Sequence, residues 1–404
     1  MKPSQQSTKR SGGPKQLAIN ISSCLSEVLL NAERPIALHE PEFDDVAEDL
    51  VVDCIRSTYV SSVGNNTRQF EEKIAEVCEV RHCVAIVNGT AALQLALRVV
   101  GVKPGSEVLM PSLTFVATAN AVSHLGAVPH FVDVEERTLG IDPQALKKYL
   151  DSIACLDNGS LINTQTGREI RAIVPVHVFG HPVDMDMLKT VAEPLGLKVV
   201  EDAAESLGSS YKKKRCGGLG HIGAISFNGN KIITTGGGGA LVTDNTDWAD
   251  MARHLSTTAK QSHPWSFFHD DIGYNYRMPN LNAALGLAQV RQLENKLSKK
   301  RKLAEAYFAA FEGHPGIRVM REPAEARSNY WLNTLILEPH LARANDIVLK
   351  HLNEQGFMAR PIWKPMHQLP MFSTCPRAEL LKTESLADRI INIPSSAHLA
   401  DLVA

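Results

Sequence analysis

Three short runs in this 404-residue chain combine residue types from which a reactive site can be built. In Asn88-Gly89-Thr90-Ala91-Ala92, small residues stand where a strand pattern gives way to a helix pattern. Such a junction lets a phosphate approach the free amides of a first helical turn, and a Thr hydroxyl adds a donor. Thr90 serves equally well as a plain N-cap. Val199-Val200-Glu201-Asp202-Ala203-Ala204 is an apolar strand ending in carboxylates, and a carboxylate there can hold a cationic ring nitrogen. In Ser226-Phe227-Asn228-Gly229-Asn230-Lys231, a lysine follows a strand and precedes a polar, glycine-rich turn. A lysine beside phosphate donors and an acid is the set a Schiff-base cofactor site requires.

Other motifs fail on context. Gly218-Leu219-Gly220-His221-Ile222-Gly223 matches the dinucleotide spacing G-x-G-x-x-G, with Asp244 about twenty residues on. That fingerprint must follow a strand and open a helix, whereas here polar residues precede and a strand pattern follows. The Lys212-Lys213-Lys214-Arg215 run reads as a solvated turn rather than a nucleic-acid patch. His177 and His181, with Asp184 and Asp186 nearby, need a helix to act as a ligand pair, and their segment reads as strand end and loop. Cys78, His82 and Cys83 lack a second ligand pair at zinc spacing. No metal site is expected.

The elements that must position the three runs follow from hydrophobic periodicity. Strand patterns at 83–87, 107–110, 130–134, 173–178 and 198–201 alternate with helical patterns at 90–100, 116–125, 143–150 and 185–195. This means βαβ units, hence a mostly parallel sheet covered by helices, with function beyond the carboxyl ends of its strands. The insert 161–170 reads as a small hairpin. Two more strand patterns, 224–227 and 240–243, bracket the glycines 236–239. Helical patterns at 19–30, 46–56 and 67–80 come first, with Pro35 and Pro41 forcing an extended connection. A helical stretch at 281–311, strands at 317–320 and 330–337 and a helix at 344–355 form a different pattern. The expected fold is α/β: an N-terminal extension with a short helix at 1–34, a large domain at 35–284 and a smaller α+β domain at 285–404.

Lys plus Arg number 42 against 44 Asp plus Glu, so no long-range field attracts nucleic acid or an anionic membrane. Seven irregularly spaced cysteines are unlike a secreted disulfide framework. No run reaches the ~18 apolar residues of a membrane span. The basic, Ser- and Gly-rich start, 1–15, leads into a stretch carrying Asn20, three serines and Glu27, which spoils a signal-peptide core. A soluble cytoplasmic chain is expected.

The three runs, together with Thr114-Phe115-Val-Ala-Thr-Ala-Asn, Thr235-Gly-Gly-Gly-Gly and Gly273-Tyr-Asn-Tyr-Arg-Met, occur in an order that resembles a known family. It is that of the pyridoxal-phosphate aminotransferases acting on nucleotide-linked keto-sugars, the DegT/DnrJ/EryC/StrS type of the aspartate-aminotransferase fold (fold type I). The match spans about residues 35–395.

The resemblance implies pyridoxal 5'-phosphate as cofactor. Lys231 would anchor it covalently and later move the proton between substrate carbon and cofactor, and Asp202 would face its pyridinium nitrogen. Phe115 would stack on the ring, while Thr90, Ala91 and Ser226 would hold the phosphate. Asn275 matches an asparagine that completes the neighbouring subunit's phosphate cup, which implies a homodimer with composite sites. Arg277 is the candidate for the amino donor's carboxylate, or equally an interface ion pair. Glu205 stands where many relatives carry Gln or His beside the cofactor's phenolic oxygen, and Gly238 where many carry Glu.

The segment Asn228-Gly-Asn-Lys-Ile-Ile-Thr-Thr-Gly-Gly-Gly-Gly, with Leu38-His-Glu-Pro and a helix before it, is similar to a subset of the family. That subset makes 4-amino-6-deoxy sugars on UDP for legionaminic-acid-type bacterial surface glycans. The implied reaction takes an amino group from an L-amino acid, glutamate first, to C4 of a UDP-linked 4-keto-6-deoxyhexose. Two alternatives stand beside it. One is a sugar dehydratase on the same scaffold, whose branch commonly replaces the Schiff-base lysine by His, against Lys231 here. The other is a regulatory protein that holds cofactor or nucleotide sugar without turnover.

Overall fold

The computed structural model describes residues 13–403, so the first twelve residues of the basic start lie outside the described residues. Seven strands form the large sheet in the order His82–Ile86, Gly239–Thr243, Ile222–Ser226, Lys198–Asp202, Ile170–Ile173, Glu107–Pro111 and Val128–Val132. Gly239–Thr243 runs antiparallel to both neighbours, and the remaining pairings are parallel. Alternate strand residues serve opposite cores. Val84, Ile86, Val108, Met110 and Leu241 pack with helix Gly89–Val99. Cys83, Ala85, Ala240 and Val242 pack with Phe70 and Ile74 of helix Asn65–Cys78, and Leu109 and Val132 with Leu146 and Leu188 of helices Pro143–Ile153 and Met185–Ala192. Burial on both faces is why these strands read as unbroken apolar runs.

The hairpin expected at 161–170 is there, Ile162 bridging Glu169 antiparallel and the Asn163 amide donating to the Arg168 carbonyl, and a second one precedes it. Ala154–Asp157 pairs antiparallel with Ser160–Asn163 about Asn158 and Gly159, at φ 47° and 80°. Asn-Gly supplies the left-handed pair that a two-residue hairpin turn needs, and that pair sets the register.

The first helix runs Pro14–Val28 rather than 19–30. A proline opens it at no cost, because the amide it lacks has no helical partner in the first turn. Leu17, Ile21, Cys24, Leu25 and Val28 form its buried stripe, against Leu303, Tyr307, Val348, Leu352 and Phe357. The stretch read as one helix at 281–311 is two, Asn280–Arg291 and Leu293–Ala310. They meet at Gln292, whose amide bonds back three residues to Gln289. Residue 285 lies within the first of them, which packs on helices Asp45–Ser57 and Asn65–Cys78, while the second runs beside Pro14–Val28. An antiparallel sheet follows, ordered Ile317–Val319, Asn333–Leu337, Ile390–Ile393, Arg360–Pro361. Among the described residues no helix is long and apolar enough to cross a membrane.

Candidate active site

The strands His82–Ile86, Lys198–Asp202 and Ile222–Ser226 carry the three motifs to one cavity of about 330 Å³ at the edge of the large sheet. Asn88, Gly89, Thr90, Asp202, Glu205, Ser226 and Lys231 line it, as does Phe115. The side chain of Asn88 caps the helix that follows, accepting from the Ala91 amide at 2.8 Å. Ala91, expected among the phosphate holders, therefore has its amide occupied, and its side chain is buried in the core. Gly89 and Thr90 supply the first-turn donors at the cavity wall. A Cβ on Gly89 would stand 2.8 Å from that of Ser226, so glycine is what lets the turn close on the strand end.

Asp202 is fixed from both sides. Thr118 Oγ1 donates to Oδ2 at 2.7 Å and the Ala204 amide to Oδ1 at 3.2 Å. Thr118, having given its proton to the carboxylate, accepts from Thr114 at 2.9 Å. Phe115 opens the next helix and, at 52% exposed, presents a large bare ring to the cavity.

Lys231 sits in a seat of three parts. Its Nζ is 3.4 Å from Glu205 Oε1 and 3.8 Å above the centre of the Trp331 ring. The Trp331 indole N–H donates to the carbonyl of Asn230 at 2.7 Å, pinning the residue next to the lysine. Glu205 also accepts from the Phe179 amide at 2.8 Å. Burial pushes the Glu205 carboxyl up against the pull of Lys231.

Besides Ala91, two residues of the expected set lie outside this cavity within one chain. Asn275 is exposed, on a segment paired with Thr257. Arg277 pairs with Glu71 at 2.7 Å and donates to the Ala85 carbonyl. Glu71 holds Arg253 with its other oxygen, so one carboxylate serves two guanidiniums.

The discounted motifs have structural employment. Glu201, fully buried, accepts from His177 at 2.9 Å and from the amides of Gly217 and Gly220, so the glycine-rich run serves a buried carboxylate. His177 takes the Val183 amide on its other nitrogen. His181 is buried edge-on to Tyr330. Lys212 and Lys213 form the turn between Ser210–Tyr211 and Lys214–Arg215. Among the described residues, no group of three or more His, Cys, Asp or Glu is placed to hold a metal ion.

Sequence reasoning missed Trp331 and Trp363, which wall the site, and Phe179 behind them, whose ring is tilted 36° to the first indole and 38° to the second. The strand expected from 330 begins only at Asn333, and the irregular run before it, with Tyr330 at φ 47°, delivers Trp331 to Lys231. Asn329 holds that run. Its Nδ2 donates to the carbonyls of Glu205 and Leu207, both at 2.9 Å, and its Oδ1 accepts the Trp331 amide at 2.8 Å. Gly180, at φ 97°, makes room for it, since a Cβ there would fall 1.9 Å from Asn329 Oδ1. The signal for this hub was a polar Asn directly before Tyr330-Trp331, which alone names no partner.

The residues fit pyridoxal phosphate. A helix start with small residues and hydroxyls suits the phosphate, a bare Phe115 ring suits stacking, Asp202 suits a ring nitrogen, and Lys231 is the one lysine on the cavity wall.

Known proteins resemble the chain over most of its length. A family model described as the DegT/DnrJ/EryC1/StrS aminotransferase family matches residues 41–402. The GDP-perosamine synthase of Caulobacter vibrioides is 36% identical over 368 residues, covering 91% of this chain and 94% of that protein. The dTDP-3-amino-3,4,6-trideoxy-alpha-D-glucose transaminase of Streptomyces venezuelae is 31% identical, covering 83% and 84%. Among solved structures, a DegT DnrJ EryC1 StrS aminotransferase from Brucella abortus superposes with a TM-score of 0.80 at 28% identity, over 89% of this chain and 94% of that one.

Proposed function

The chain belongs to the DegT/DnrJ/EryC1/StrS aminotransferase family, and on that premise we propose that it transfers the amino group of an L-amino acid, glutamate first, to C4 of a UDP-linked 4-keto-6-deoxyhexose in surface-glycan synthesis. It is a pyridoxal-phosphate sugar aminotransferase; the acceptor, donor and residue roles are the proposal. The observation that carries the reading is the meeting of Lys231, Asp202 and the Gly89–Val99 helix start in one cavity.

Pyridoxal phosphate, when bound, supplies the electron sink that transamination needs. The first-turn amides and the hydroxyls of Thr90 and Ser226 bind its phosphate. Asp202, charged and doubly hydrogen-bonded, keeps a proton on the ring nitrogen. Lys231 anchors the cofactor and then carries the proton to and from the substrate carbon, and its seat against Glu205 and Trp331 keeps the freed amine near that carbon. Phe115 covers the ring and excludes water. Lys231 favours the transaminase over the dehydratase alternative.

The relatives reported above are named for GDP and dTDP sugars, so UDP rests on the resemblance of residues 228–239 and 38–41. Asn275 serves the partner's phosphate in a homodimer. Its exposure, and the bare Trp265, Phe267, Phe268 and Ile272 on the preceding loop, support a covered interface there.

The test incubates the purified chain with L-glutamate and a panel of UDP-, dTDP- and GDP-linked 4-keto-6-deoxy sugars. Amino-sugar formation on UDP substrates is expected, with Lys231→Ala losing both turnover and the borohydride-reducible link to the cofactor. Exclusive use of GDP or dTDP sugars overturns the nucleotide, and near wild-type turnover by Lys231→Ala overturns the mechanism.

A further inference from the structure

Behind Trp331 and Trp363 lies a second cavity of about 450 Å³, which shares Asn230, Trp331 and Trp363 with the cofactor cavity. His39 stands on its wall, brought there by an extended segment stitched into the small unit. Ile36 exchanges main-chain bonds with Gly356 and Met358, the Ser395 amide donates to the Leu38 carbonyl, and the Glu40 amide donates to Ser396 Oγ. The backbone on both sides of His39 is thus fixed, yet its Nδ1 is buried without a hydrogen-bond partner. A buried lone pair left bare costs less than a buried N–H left bare, so the proton of the neutral ring belongs on Nε2.

The surroundings of this ring are basic. Lys231, Lys296, Lys300 and His398 all bear on it, and burial with those charges holds it neutral. Lys300 Nζ gives its hydrogen bonds to the carbonyls of Trp331 and Ser395, and Lys296 Nζ to Gln289 Oε1 and the Glu42 carbonyl, so neither amine is hydrogen-bonded to a carboxylate. Glu42 and Asp44 are the acids nearest the two lysines, and Glu40 is paired with His398. Arg360, also on the wall, is tethered through Nη1 to Asn353 and the Ala359 carbonyl.

We infer that this chamber receives the carboxylate of the amino-acid donor and that His39 is the side chain that recognises it. The inference rests on the aminotransferase reading and deepens it. A carboxylate needs few donors, which His39 and the neighbouring Asn230 and Asn392 amides are placed to give, and the basic side chains around them lower the cost of bringing the anion in. A sugar-linked diphosphate fits worse. It demands several strong donors and lies across the hexose ring from C4, whereas an amino acid's carboxylate is one bond from its reacting carbon, as the adjacency of the chamber to Lys231 requires. Within one chain Arg277 is ion-paired with Glu71, outside this chamber.

The experiment compares the cofactor-loaded wild-type chain with His39→Leu and His39→Gln. Binding of glutarate, a dicarboxylate without an amino group, is measured by calorimetry, and KM is measured separately for amino donor and keto-sugar. His39→Leu is expected to weaken glutarate and raise the donor KM by about tenfold or more, the loss of one charge-assisted donor. The keto-sugar KM stays within about twofold, which also reports an intact fold, and His39→Gln, which keeps an N–H, recovers most of the loss. Unchanged glutarate binding in His39→Leu overturns the inference, as does no glutarate binding by wild type, or a weakening of UDP binding in its place. Failure of wild type to transaminate any amino acid would instead fall on the aminotransferase reading, because the calorimetry needs no turnover.

Discussion

Asn329→Ala tests whether the active site is held from the small unit. The substitution removes one fully buried side chain and leaves the carbonyls of Glu205 and Leu207 and the amide of Trp331 without partners. Each such orphan costs about 1–3 kcal/mol. Water entering the vacated space recovers part of that, so the low end, about 3 kcal/mol in all, is the expected loss. For a chain of this size that is a fall of about 3–4 °C in thermal midpoint. Asn329→Asp is expected to do at least as much harm, because it turns an acceptor toward two carbonyl oxygens that now face a donor. Both variants also loosen Lys231, since Glu205 and Trp331 are its two neighbours, so quenching of tryptophan fluorescence by bound cofactor should weaken in step. Calorimetric or denaturant unfolding of the two variants checks the magnitude. A loss below about 1 kcal/mol for Asn329→Ala, with the midpoint unmoved, would refute the hub.

Asp202→Asn keeps the shape and the Thr118 contact but removes the charge, so cofactor absorption should persist while the transamination rate falls by orders of magnitude; an unchanged rate would place the ring's partner elsewhere. Burial lowers Lys300 to about 7, far below the 10.5 of an exposed lysine, so the unfolded chain holds the extra proton between those values and stability must rise with pH there. Unfolding free energy should gain about 2 kcal/mol from pH 7 to 9, and Lys300→Met, less stable throughout, should lose most of that slope. An Asn275→Ala chain and a Lys231→Ala chain, each inactive alone, should regain roughly a quarter of wild-type activity per site after subunit exchange, because half the dimers then carry one intact composite site. No recovery after proven exchange would place Asn275 within its own site.

What the sequence disclosed was local. Asn88–Thr90, Asp202 and Ser226–Lys231 each sit within a few residues of a strand's carboxyl end, and a parallel sheet collects such ends at one edge, so reading the strands was enough to gather the residues. Trp331, Trp363 and His39 come from chain far away, and only packing of the small unit against the sheet brings them in. The misread elements have the same cause. The run 330–332 has strand-forming residues, yet Asn329 and its three buried bonds override that propensity. The hairpin about Asn158-Gly159 is a different case, since its turn signal was local and lay just before the hairpin expected at 161–170.

The first helix, Pro14–Val28, has a consequence for the order in which the chain is made. Its apolar stripe has no partner until Leu303 and the residues after it exist, roughly 275 residues later. At about 5–20 residues per second a ribosome takes about 15 to 60 s to cover that distance. For that time the emerging chain displays Leu17, Ile21 and Leu25 to whatever binds exposed hydrophobic helices, while the large sheet can already assemble. Release of the last hundred residues closes the small unit over both ends of the chain at once, so a nascent chain stalled before residue 300 should hold chaperone on its first helix, and a completed one should shed it.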